Sequence, residues 1–427
     1  MEKIIKTILN EWKERKLPQV IPRQKNLLKH IKNKKITVIS GFRRTGKTYL
    51  LFHLIKKILK EQVVYINFED ERIPLKTEFL SSIMPAIKQT FNKPIKILCL
   101  DEIQNIPNWS KWLRRIYDSE KIKIFVTGSS SKMSSREIPT ELRGRFLEEK
   151  IFPLSFKEFL TFKKINADLK TIDYSENQKA KIILSLKEYL KFGGMPEIVL
   201  ANENEKTEII HNYYNTVIRR DIIERFKIRN EESLKALLSL VLNSTSYSIS
   251  KMYNTLKSLN FEVGKSTTQK YLNYIDNSYL LHTLKLFSYK IKDQLQHPRK
   301  IYFIDTGFIN TLSSKFSKNL GRLYENTVFI ELKRRQLTQQ EIYYWKNSQH
   351  EEVDFVIKES MKIKQLIQVC YDIDDYTTKK REIKALLKAS KELKCSNLLV
   401  ITEDKTGKEK IKGKIINYIS LWKFLLE

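Results

Sequence analysis

The sequence predicts an α/β protein built on a parallel β-sheet, followed by a more helical second half. An apolar run at residues 36–39 leads into a glycine-containing loop and then a helical apolar pattern at 50–55. A second apolar run, at 97–100, ends in two acids, and further strand-like runs occur at 63–68 and 123–126. Strands that alternate with helices are typical of three-layer α/β domains, whose sheets are parallel.

The glycine-containing loop has the spacing of a P-loop. In such loops the backbone N–H groups and the following helix N-terminus point at phosphate oxygens. Lys47 is expected to reach the β- and γ-phosphates, and Thr48 to place its hydroxyl on Mg²⁺. The sequence therefore predicts ATP and Mg²⁺ as ligands, and the candidate binding residues are Gly41, Phe42, Arg43, Arg44, Thr45, Gly46, Lys47 and Thr48. For Arg43 and Arg44, an exposed basic pair is the alternative interpretation.

The acids after the second apolar run fit the opposite side of the same site. Asp101 is expected to bind the hydration shell of Mg²⁺, and Glu102 to polarise the attacking water, which favours hydrolysis over binding alone. The alternative is a pair of acids at a helix N-terminus. The strand at 123–126 is followed by Thr127 and Ser129, which are predicted to sense the γ-phosphate because parallel strands end along one crevice. A polar turn is the alternative for these hydroxyls.

Arg143 and Arg145 flank Gly144 and are candidates for a catalytic arginine. A guanidinium reaching a neighbouring subunit's γ-phosphate neutralises charge in the transition state, so the pair hints at a homo-oligomer. An exposed basic pair in a very basic chain is the competing interpretation.

Composition narrows the class of protein. The chain has 427 residues, with 79 Lys and Arg against 49 Asp and Glu, for a formal net charge of +30. A positive charge of this size attracts polyanions, of which nucleic acid is the first candidate. The alternative is that an A/T-rich coding bias increases the number of surface lysines. With 41% hydrophobic residues the chain is not disordered. Three cysteines without a CxxC pair exclude a disulfide framework and a zinc site of local spacing, and with no apolar segment of signal-peptide or membrane-spanning length we expect a cytoplasmic protein.

These motifs, taken in order, resemble a known family. The segments GFRRTGKT, LDEIQNIPNW, TGSSSKM, LRGRF, FPLSFKEFL and FGGMPE are similar to those of archaeal and bacterial AAA+-type ATPases that carry a C-terminal domain of unknown function. The lead-in at residues 18–23 is also similar. The resemblance implies an ATPase core, a helical lid, a winged helix and a C-terminal fold related to PD-(D/E)XK, restriction-endonuclease-like nucleases.

The residues of the second half support parts of this organisation. Gly193, Gly194 and Pro196 follow a helical pattern as a helix stop. Helical patterns at 250–259 and 266–276, followed by an apolar ribbon from Tyr279, predict a winged helix-turn-helix. Its second helix is expected to present side chains able to contact DNA, namely Lys265, Thr267, Thr268, Gln269 and Lys270. A packing or protein-contact module is the alternative.

The last segment predicts the order helix, three strands, helix, strand. Glu325 and Asp354 are spaced like acids of a nuclease centre, which also needs a Glu-x-Lys pair. This chain has Gln368 and Cys370 there, and cysteine cannot replace a lysine's charge. We therefore predict a degenerate nuclease-like domain with a possible vestigial metal site at Glu325, Asp354 and Gln368, or else two acids that make salt bridges.

The sequence thus predicts a Mg²⁺-dependent ATPase that acts on DNA or is regulated by it. An ATP-gated protein-interaction switch and a metal-dependent nuclease are the alternatives. The expected organisation is a helical lead-in (1–34), an ATPase core (35–160), a helical lid (161–235), a winged helix (236–300) and the nuclease-like domain (301–427).

Overall fold

A computed structural model describes residues 1–129, 139–167, 172, 174–314 and 320–427. The chain divides into two compact units, Met1–Phe152 and Pro153–Glu427. This division falls eight residues before the expected end of the ATPase core at residue 160. Within the described residues, no helix is long and apolar enough to cross a membrane.

The first unit is built on a five-stranded parallel sheet. The strands are β1 (Ile36–Gly41), β2 (Val63–Asn67), β3 (Ile97–Asp101), β4 (Lys123–Gly128) and β5 (Phe146–Ile151), arranged in the order β2-β3-β4-β1-β5. The helices are α1 (Glu2–Glu14), α2 (Lys47–Ile55), α3 (Thr77–Thr90) and α4 (Trp109–Ser119). Strands β1, β3 and β4 are buried along their whole length, as their continuous apolar runs require. The predicted parallel α/β class is confirmed.

The lead-in expected as a separate segment is part of this unit's core. Helix α1 buries Ile5, Leu9 and Trp12, and the indole N–H of Trp12 donates to the Val63 carbonyl at 2.7 Å. Its apolar residues recur at helical spacing, so one stripe of the helix faces the sheet layer. Helix α1 is therefore packed into the core of the first unit.

The second unit begins with helices. These are α5 (Phe156–Phe162), α6 (Glu176–Phe192), α7 (Pro196–Leu200) and α8 (Glu203–Thr216), followed by a π-helical stretch (Val217–Glu224) and α9 (Glu231–Leu242). Helix α6 ends at Phe192, and Gly193, which was predicted to stop the helix, follows it with a φ of 82°. A Cβ at Gly193 would lie 1.5 Å from a carboxylate oxygen of Asp305, so the FGGMPE segment is a site of close packing.

A small sheet and two helices follow. Strands β6 (Ser246–Tyr247), β7 (Leu281–Leu284) and β8 (Arg299–Phe303) form an antiparallel sheet in the order β6-β8-β7. Helices α10 (Ile249–Ser258) and α11 (Lys265–Asn277) lie between β6 and β7, and α12 (Ile291–Gln296) lies between β7 and β8. The expected boundary at residue 300 falls inside β8.

The remaining residues form a mixed six-stranded sheet with flanking helices. Helices α13 (Thr306–Leu312) and α14 (Leu320–Arg335) precede β9 (Gln340–Lys346), β10 (Glu352–Glu359) and β11 (Lys362–Val369). Then come α15 (Tyr376–Glu392), β12 (Leu398–Thr402), β13 (Gly407–Ile411), β14 (Lys414–Ser420) and α16 (Leu421–Leu426). The strand order is β13-β14-β12-β11-β10-β9, with parallel pairs only at β11–β12 and β12–β14. The predicted element order is present, and the β13–β14 hairpin extends it.

Candidate nucleotide-binding site

The loop between β1 and α2 has the backbone geometry of an anion cradle. Gly46 is left-handed, with φ at 89°, and α2 begins at the next residue, so the first N–H groups of that helix face the loop. Gly41 has φ at 151°, and a Cβ there would lie 2.2 Å from the Ile151 carbonyl oxygen. Only glycine fits where β1 passes this close to β5.

Side chains inside the loop hold its shape. Thr45 Oγ1 donates to the Phe42 carbonyl at 2.8 Å, and Phe42 is buried. Lys47 Nζ donates to the carbonyls of Gly41 at 3.2 Å and Phe42 at 3.1 Å, and lies 3.9 Å from a carboxylate oxygen of Glu102. The ammonium is therefore held in the middle of the loop, with only 5% of the side chain exposed.

Asp101 is surrounded by hydroxyl donors. Its carboxylate accepts from Thr48 Oγ1 at 2.7 Å, from the Tyr65 hydroxyl at 2.7 Å and from Thr127 Oγ1. Burial raises the pKa of Asp101 above its ordinary value, and the neighbouring charge of Glu102 adds to this, while the bond from Thr127 acts in the opposite direction. The structure thus brings Thr48 and Asp101 together, as the motif spacing predicts.

Glu102 follows β3 in a left-handed conformation, with φ at 54°. Its carboxylate accepts from the Ser129 N–H at 3.1 Å, the Ser129 hydroxyl at 3.0 Å and the Gln104 amide at 2.5 Å. The Glu102 N–H in turn donates to Thr127 Oγ1 at 3.1 Å. Both hydroxyls predicted from the end of β4 therefore lie at the acid pair. The rest of the predicted serine run and its motif, residues 130–133, lies outside the described residues.

The four candidate arginines have different surroundings. Arg43 pairs with Glu69 at 3.2 Å, and Arg44 is exposed with φ at 65°. Arg145 Nε lies 3.5 Å from an Asp118 carboxylate oxygen, so it contacts an acid of its own unit. Arg143 is exposed in the turn before β5.

Sequence reasoning missed three residues of this site. In the sequence, Tyr65 belongs to the strand-like run at 63–68 and Gln104 to the LDEIQNIPNW segment, and neither position predicts a role at the site. Arg23 lies in the lead-in and donates to the Thr45 carbonyl at 2.8 Å and the Phe152 carbonyl at 3.1 Å, so it connects the loop to the residue that follows β5. The one sequence feature that could have indicated a role for Arg23 is its position at the end of the PQVIPR segment.

The acids of the second unit lie around a lysine. Lys300 Nζ lies 2.8 Å from Glu325, 2.9 Å from Asp354 and 2.6 Å from Glu352. Gln368 donates its amide N–H to Glu382 at 2.5 Å, and its side-chain oxygen accepts from the Asp354 backbone N–H at 3.4 Å. The described residues contain no group of three His, Cys, Asp or Glu suited to a metal ion. The expected remnant metal site at Glu325, Asp354 and Gln368 must be corrected, because the Lys300 ammonium lies between the first two carboxylates and the Gln368 side-chain oxygen is bonded to the Asp354 N–H.

Three family models match this chain. Residues 33–160 match an AAA domain, 183–319 a domain of unknown function (DUF8612) and 320–424 a domain of unknown function (DUF4143). An uncharacterized protein of Methanocaldococcus jannaschii is 44% identical over 405 residues, covering 92% of this chain and 88% of the relative. The chain belongs to this family of AAA-domain proteins with a C-terminal DUF4143 domain. A second family member, an uncharacterized protein of Haemophilus influenzae, is 30% identical over 80% of this chain and 84% of its own length.

Solved structures give weaker likenesses. PCH-2 of C. elegans covers 49% of this chain and 61% of its own at 12% identity, with a TM-score of 0.29. AMPPCP-bound DnaA of Aquifex aeolicus covers 58% of this chain and 85% of its own at 15% identity, with a TM-score of 0.24. The family assignment rests on the sequence relatives, which span most of the chain.

Proposed function

We propose that this family member binds ATP with Mg²⁺ and hydrolyses it, and that it acts on DNA. The observation that carries the first part is the cluster of Lys47, Thr48, Asp101 and Glu102 at the carboxyl edge of the parallel sheet. An AAA domain supports nucleotide binding and ATPase activity in general. The finer assignment of roles to these side chains is our proposal.

The donor set suits Mg²⁺. Thr48 Oγ1 and an Asp101 carboxylate oxygen are 2.7 Å apart, and both are oxygen ligands of the kind that Mg²⁺ accepts directly or through water. Asp101 is 2% exposed, so a cation beside it would stabilise the ionised carboxylate. When bound, Mg²⁺ would neutralise charge on the β- and γ-phosphates.

The chain's own residues supply the remaining parts. Backbone N–H groups of residues 41–48 would hold the phosphates, and the Lys47 ammonium would move from the Gly41 and Phe42 carbonyls to phosphate oxygens. Glu102 would orient the attacking water, and Thr127 and Ser129, which bond to the two acids, would sense the γ-phosphate. Arg143 and Arg145 stay as candidates for an arginine supplied to another copy of the chain.

Two variants test the nucleotide site. Lys47→Ala should abolish ATP binding, because it removes the charge from the middle of the loop. Glu102→Gln should keep ATP binding and lower turnover by about 100-fold or more, since the amide cannot activate water. Lys57→Ala, an exposed lysine that follows the same helix, is the matched control. Wild-type hydrolysis by both site variants would refute the assignment.

The DNA part of the proposal rests on the charge of +30 and on helix α11. Three helices (α9, α10 and α11) and three strands (β6, β7 and β8) follow the order of a winged helix. Lys265, Gln269 and Lys270 are exposed on α11, where they would meet phosphates. Thr268 must be removed from the predicted contacts, because its side chain is buried and its hydroxyl donates to the Gly264 carbonyl.

Affinity for duplex DNA, measured as a function of salt, tests this part. The double variant Lys265→Ala/Lys270→Ala should weaken binding and lower the slope of log K against log salt by about 2, because each lysine that contacts a phosphate releases about one counterion. The control Lys408→Ala/Lys410→Ala removes the same charge from exposed positions on β13 and should bind as the wild type does. Equal losses of DNA affinity in the two double variants would mean that binding depends on net charge and not on helix α11. No DNA binding by the wild type would favour the ATP-gated protein-interaction switch.

We do not propose nuclease activity. A nuclease of the predicted type needs its carboxylates to face a metal ion, and here Lys300 lies within hydrogen-bond distance of Glu325 and Asp354. Plasmid cleavage in Mg²⁺ or Mn²⁺ that Asp354→Ala abolishes would overturn this view.

A further inference from the structure

A cavity in the first unit lies at the edge of the parallel sheet opposite to the nucleotide site. It has a volume of about 360 Å³, and its lining comes from the end of α1, the turn before β2 and the segment between α3 and β3. Strands β2 and β3 begin at this edge, whereas Asp101 is the last residue of β3. Five residues at about 3.3 Å each place the two edges roughly 15 Å apart. The cavity is therefore separate from the nucleotide site, and its volume falls in the range of roughly 300–1,000 Å³ that is typical of small-molecule sites.

Two aromatic rings in the cavity wall hold cations. Trp12 is 3% exposed, and the bond from its indole N–H to the Val63 carbonyl fixes the ring. Phe91 is half-buried and directly follows α3. Lys60 Nζ lies 5.1 Å from the centre of the Trp12 ring, and Lys13 Nζ lies 4.8 Å from the centre of the Phe91 ring. Because the face of an aromatic ring attracts a cation, the two rings keep these ammonium groups at the cavity.

Positive charge at the cavity exceeds negative charge. The lining contains three lysines, Lys13, Lys60 and Lys93, and one acid, Glu61, which leaves a formal charge of +2. In the part of the chain that the structure describes, none of the three lysines forms an ion pair with a carboxylate. The charge of these ammonium groups is therefore not balanced within the cavity, and an anion that entered it would be attracted.

The ammonium groups also keep hydrogen-bond donors for a ligand. Lys60 Nζ donates to the carbonyls of Lys13 at 2.8 Å and Arg15 at 2.5 Å, and Lys13 Nζ donates to the Thr90 carbonyl at 2.5 Å. An ammonium has three donors, so one on Lys60 and two on Lys13 remain for a further acceptor. Burial lowers the pKa of Lys60, and the nearby charge of Arg15 adds to this effect. A bound anion would act in the opposite direction and stabilise the charged form of Lys60.

A phosphate monoester matches these features. It carries a charge of about −1.5 to −2 near pH 7 and three acceptor oxygens, whereas a carboxylate supplies one charge. We propose that this cavity binds a small phosphate monoester, with the phosphate among Lys13, Lys60 and Lys93 and the organic part against Phe91. A free small molecule and the 5′ end of a nucleic-acid strand both present this group. The inference depends neither on ATP hydrolysis nor on DNA contacts of helix α11.

Binding of phenyl phosphate to the full-length protein, measured by calorimetry at constant ionic strength, tests the proposal. Lys13→Ala/Lys93→Ala should weaken binding by about 10-fold or more, because it removes two charged donors, both from exposed positions. The control Lys34→Ala/Lys121→Ala removes two other exposed lysines, which precede β1 and β4 at the same edge of the sheet. Lys34 Nζ also lies over a ring, 5.8 Å from the centre of Tyr117. This control should bind phenyl phosphate as the wild type does.

Two more variants separate charge from shape and from the nucleotide loop. Lys13→Arg/Lys93→Arg keeps both charges and should bind phenyl phosphate more tightly than the alanine pair does. Lys47→Ala should bind it as the wild type does, because the loop is at the other edge of the sheet. Loss of binding in Lys47→Ala would place the ligand in the nucleotide loop and overturn the proposal. So would equal losses in the two alanine pairs, or no binding of millimolar phenyl phosphate by the wild type.

Competition with an oligonucleotide distinguishes the two sources of the phosphate. A 5′-phosphorylated strand that displaces phenyl phosphate, where the same strand with a 5′ hydroxyl does not, would identify a strand end as the ligand. Failure of both strands to compete would identify a free small molecule. Equal competition by both strands would show that the cavity takes internal phosphodiesters, which would overturn the assignment to a monoester.

Discussion

Two buried lysines, Lys47 and Lys300, lie in regions with opposite chemistry. Lys47 Nζ contacts the carbonyls of Gly41 and Phe42 and lies 3.9 Å from Glu102. Lys300 Nζ lies within 2.9 Å of three carboxylates. The pKa of Lys300 would be lowered by its burial, but the charges of Asp354 and Glu325 more than offset this and raise it well above the ordinary value.

The comparison shows how surroundings decide what a buried ammonium can do. The carbonyl oxygens of Gly41 and Phe42 are neutral, and in our proposal they give way to phosphate oxygens at the Lys47 ammonium. Three carboxylates already satisfy the charge of Lys300, which leaves it nothing to offer a ligand. The first lysine is therefore a binding residue in our proposal, and the second is a structural counter-ion.

Matched methionine substitutions should separate the two roles. Lys47→Met should lower ATP turnover by about 100-fold or more while changing the free energy of unfolding by less than about 1 kcal/mol. Lys300→Met should leave turnover per folded molecule unchanged and cost about 3–5 kcal/mol, because it removes the cation from the buried Asp354 carboxylate and from the partly buried Glu325 and Glu352. Urea denaturation and ATP hydrolysis, measured on both variants, check this.

The comparison fails if the Lys47 variant does not lose mainly ATP turnover and the Lys300 variant does not lose mainly stability. A Lys300→Met variant as stable as the wild type would show that the carboxylates tolerate the loss of their cation. A turnover loss equal to that of Lys47→Met would show that the second unit takes part in hydrolysis.

Glu149 gives the inverse arrangement, one carboxylate among several bases. Its oxygens lie 2.9 Å from Lys25, 2.6 Å from Lys29 and 2.8 Å from His30. Burial alone would raise the pKa of Glu149, but the hydrogen bonds from Lys29 and Lys25 more than offset this effect and lower the pKa to about 2. A folded-state pKa below the unfolded value near 4.5 adds stability above pH about 4.5, and that stability is lost as the pH falls toward 2.

Glu149→Gln should therefore be about 2–3 kcal/mol less stable than the wild type at neutral pH, and the difference should shrink to nothing by pH 2. Urea denaturation across this pH range measures it. Glu61→Gln, at an exposed position, is the control and should change the free energy of unfolding by less than about 0.5 kcal/mol at neutral pH. A Glu149→Gln difference independent of pH would mean that packing, and not charge, holds the lead-in.

Local spacing was enough to predict that Thr48, Asp101 and Thr127 lie close together. Gly46, Lys47 and Thr48 are adjacent in sequence, and the acids and hydroxyls that meet them end neighbouring parallel strands. Because β3 and β4 are neighbouring parallel strands, Asp101 and Thr127 at their carboxyl ends lie close together. The parallel class followed from the same strand and helix alternation.

The Lys300 cluster was beyond local reasoning. Lys300 lies 25 residues from Glu325 and 54 from Asp354, and it is one of 79 basic residues in the chain. The acid spacing alone does not reveal whether a metal ion or a side chain stands between the carboxylates. Thr268 was misplaced for a similar reason, since the residues of α11 that face the core depend on how the helix packs.

An exposed ion pair provides the smallest expected effect and the sharpest contrast with Lys300. Arg145 and Asp118 are 3.5 Å apart with side chains 34% and 50% exposed, so Arg145→Ala and Asp118→Ala should each change the free energy of unfolding by less than about 1 kcal/mol.

Because the pair is weak, the proposed movement of Arg145 from Asp118 to a nucleotide on another copy would cost little free energy. We therefore expect Arg145→Ala to lower ATP turnover while Asp118→Ala does not. Equal losses would limit the arginine to local structure, and no loss in either would leave Arg143 as the remaining candidate of the pair.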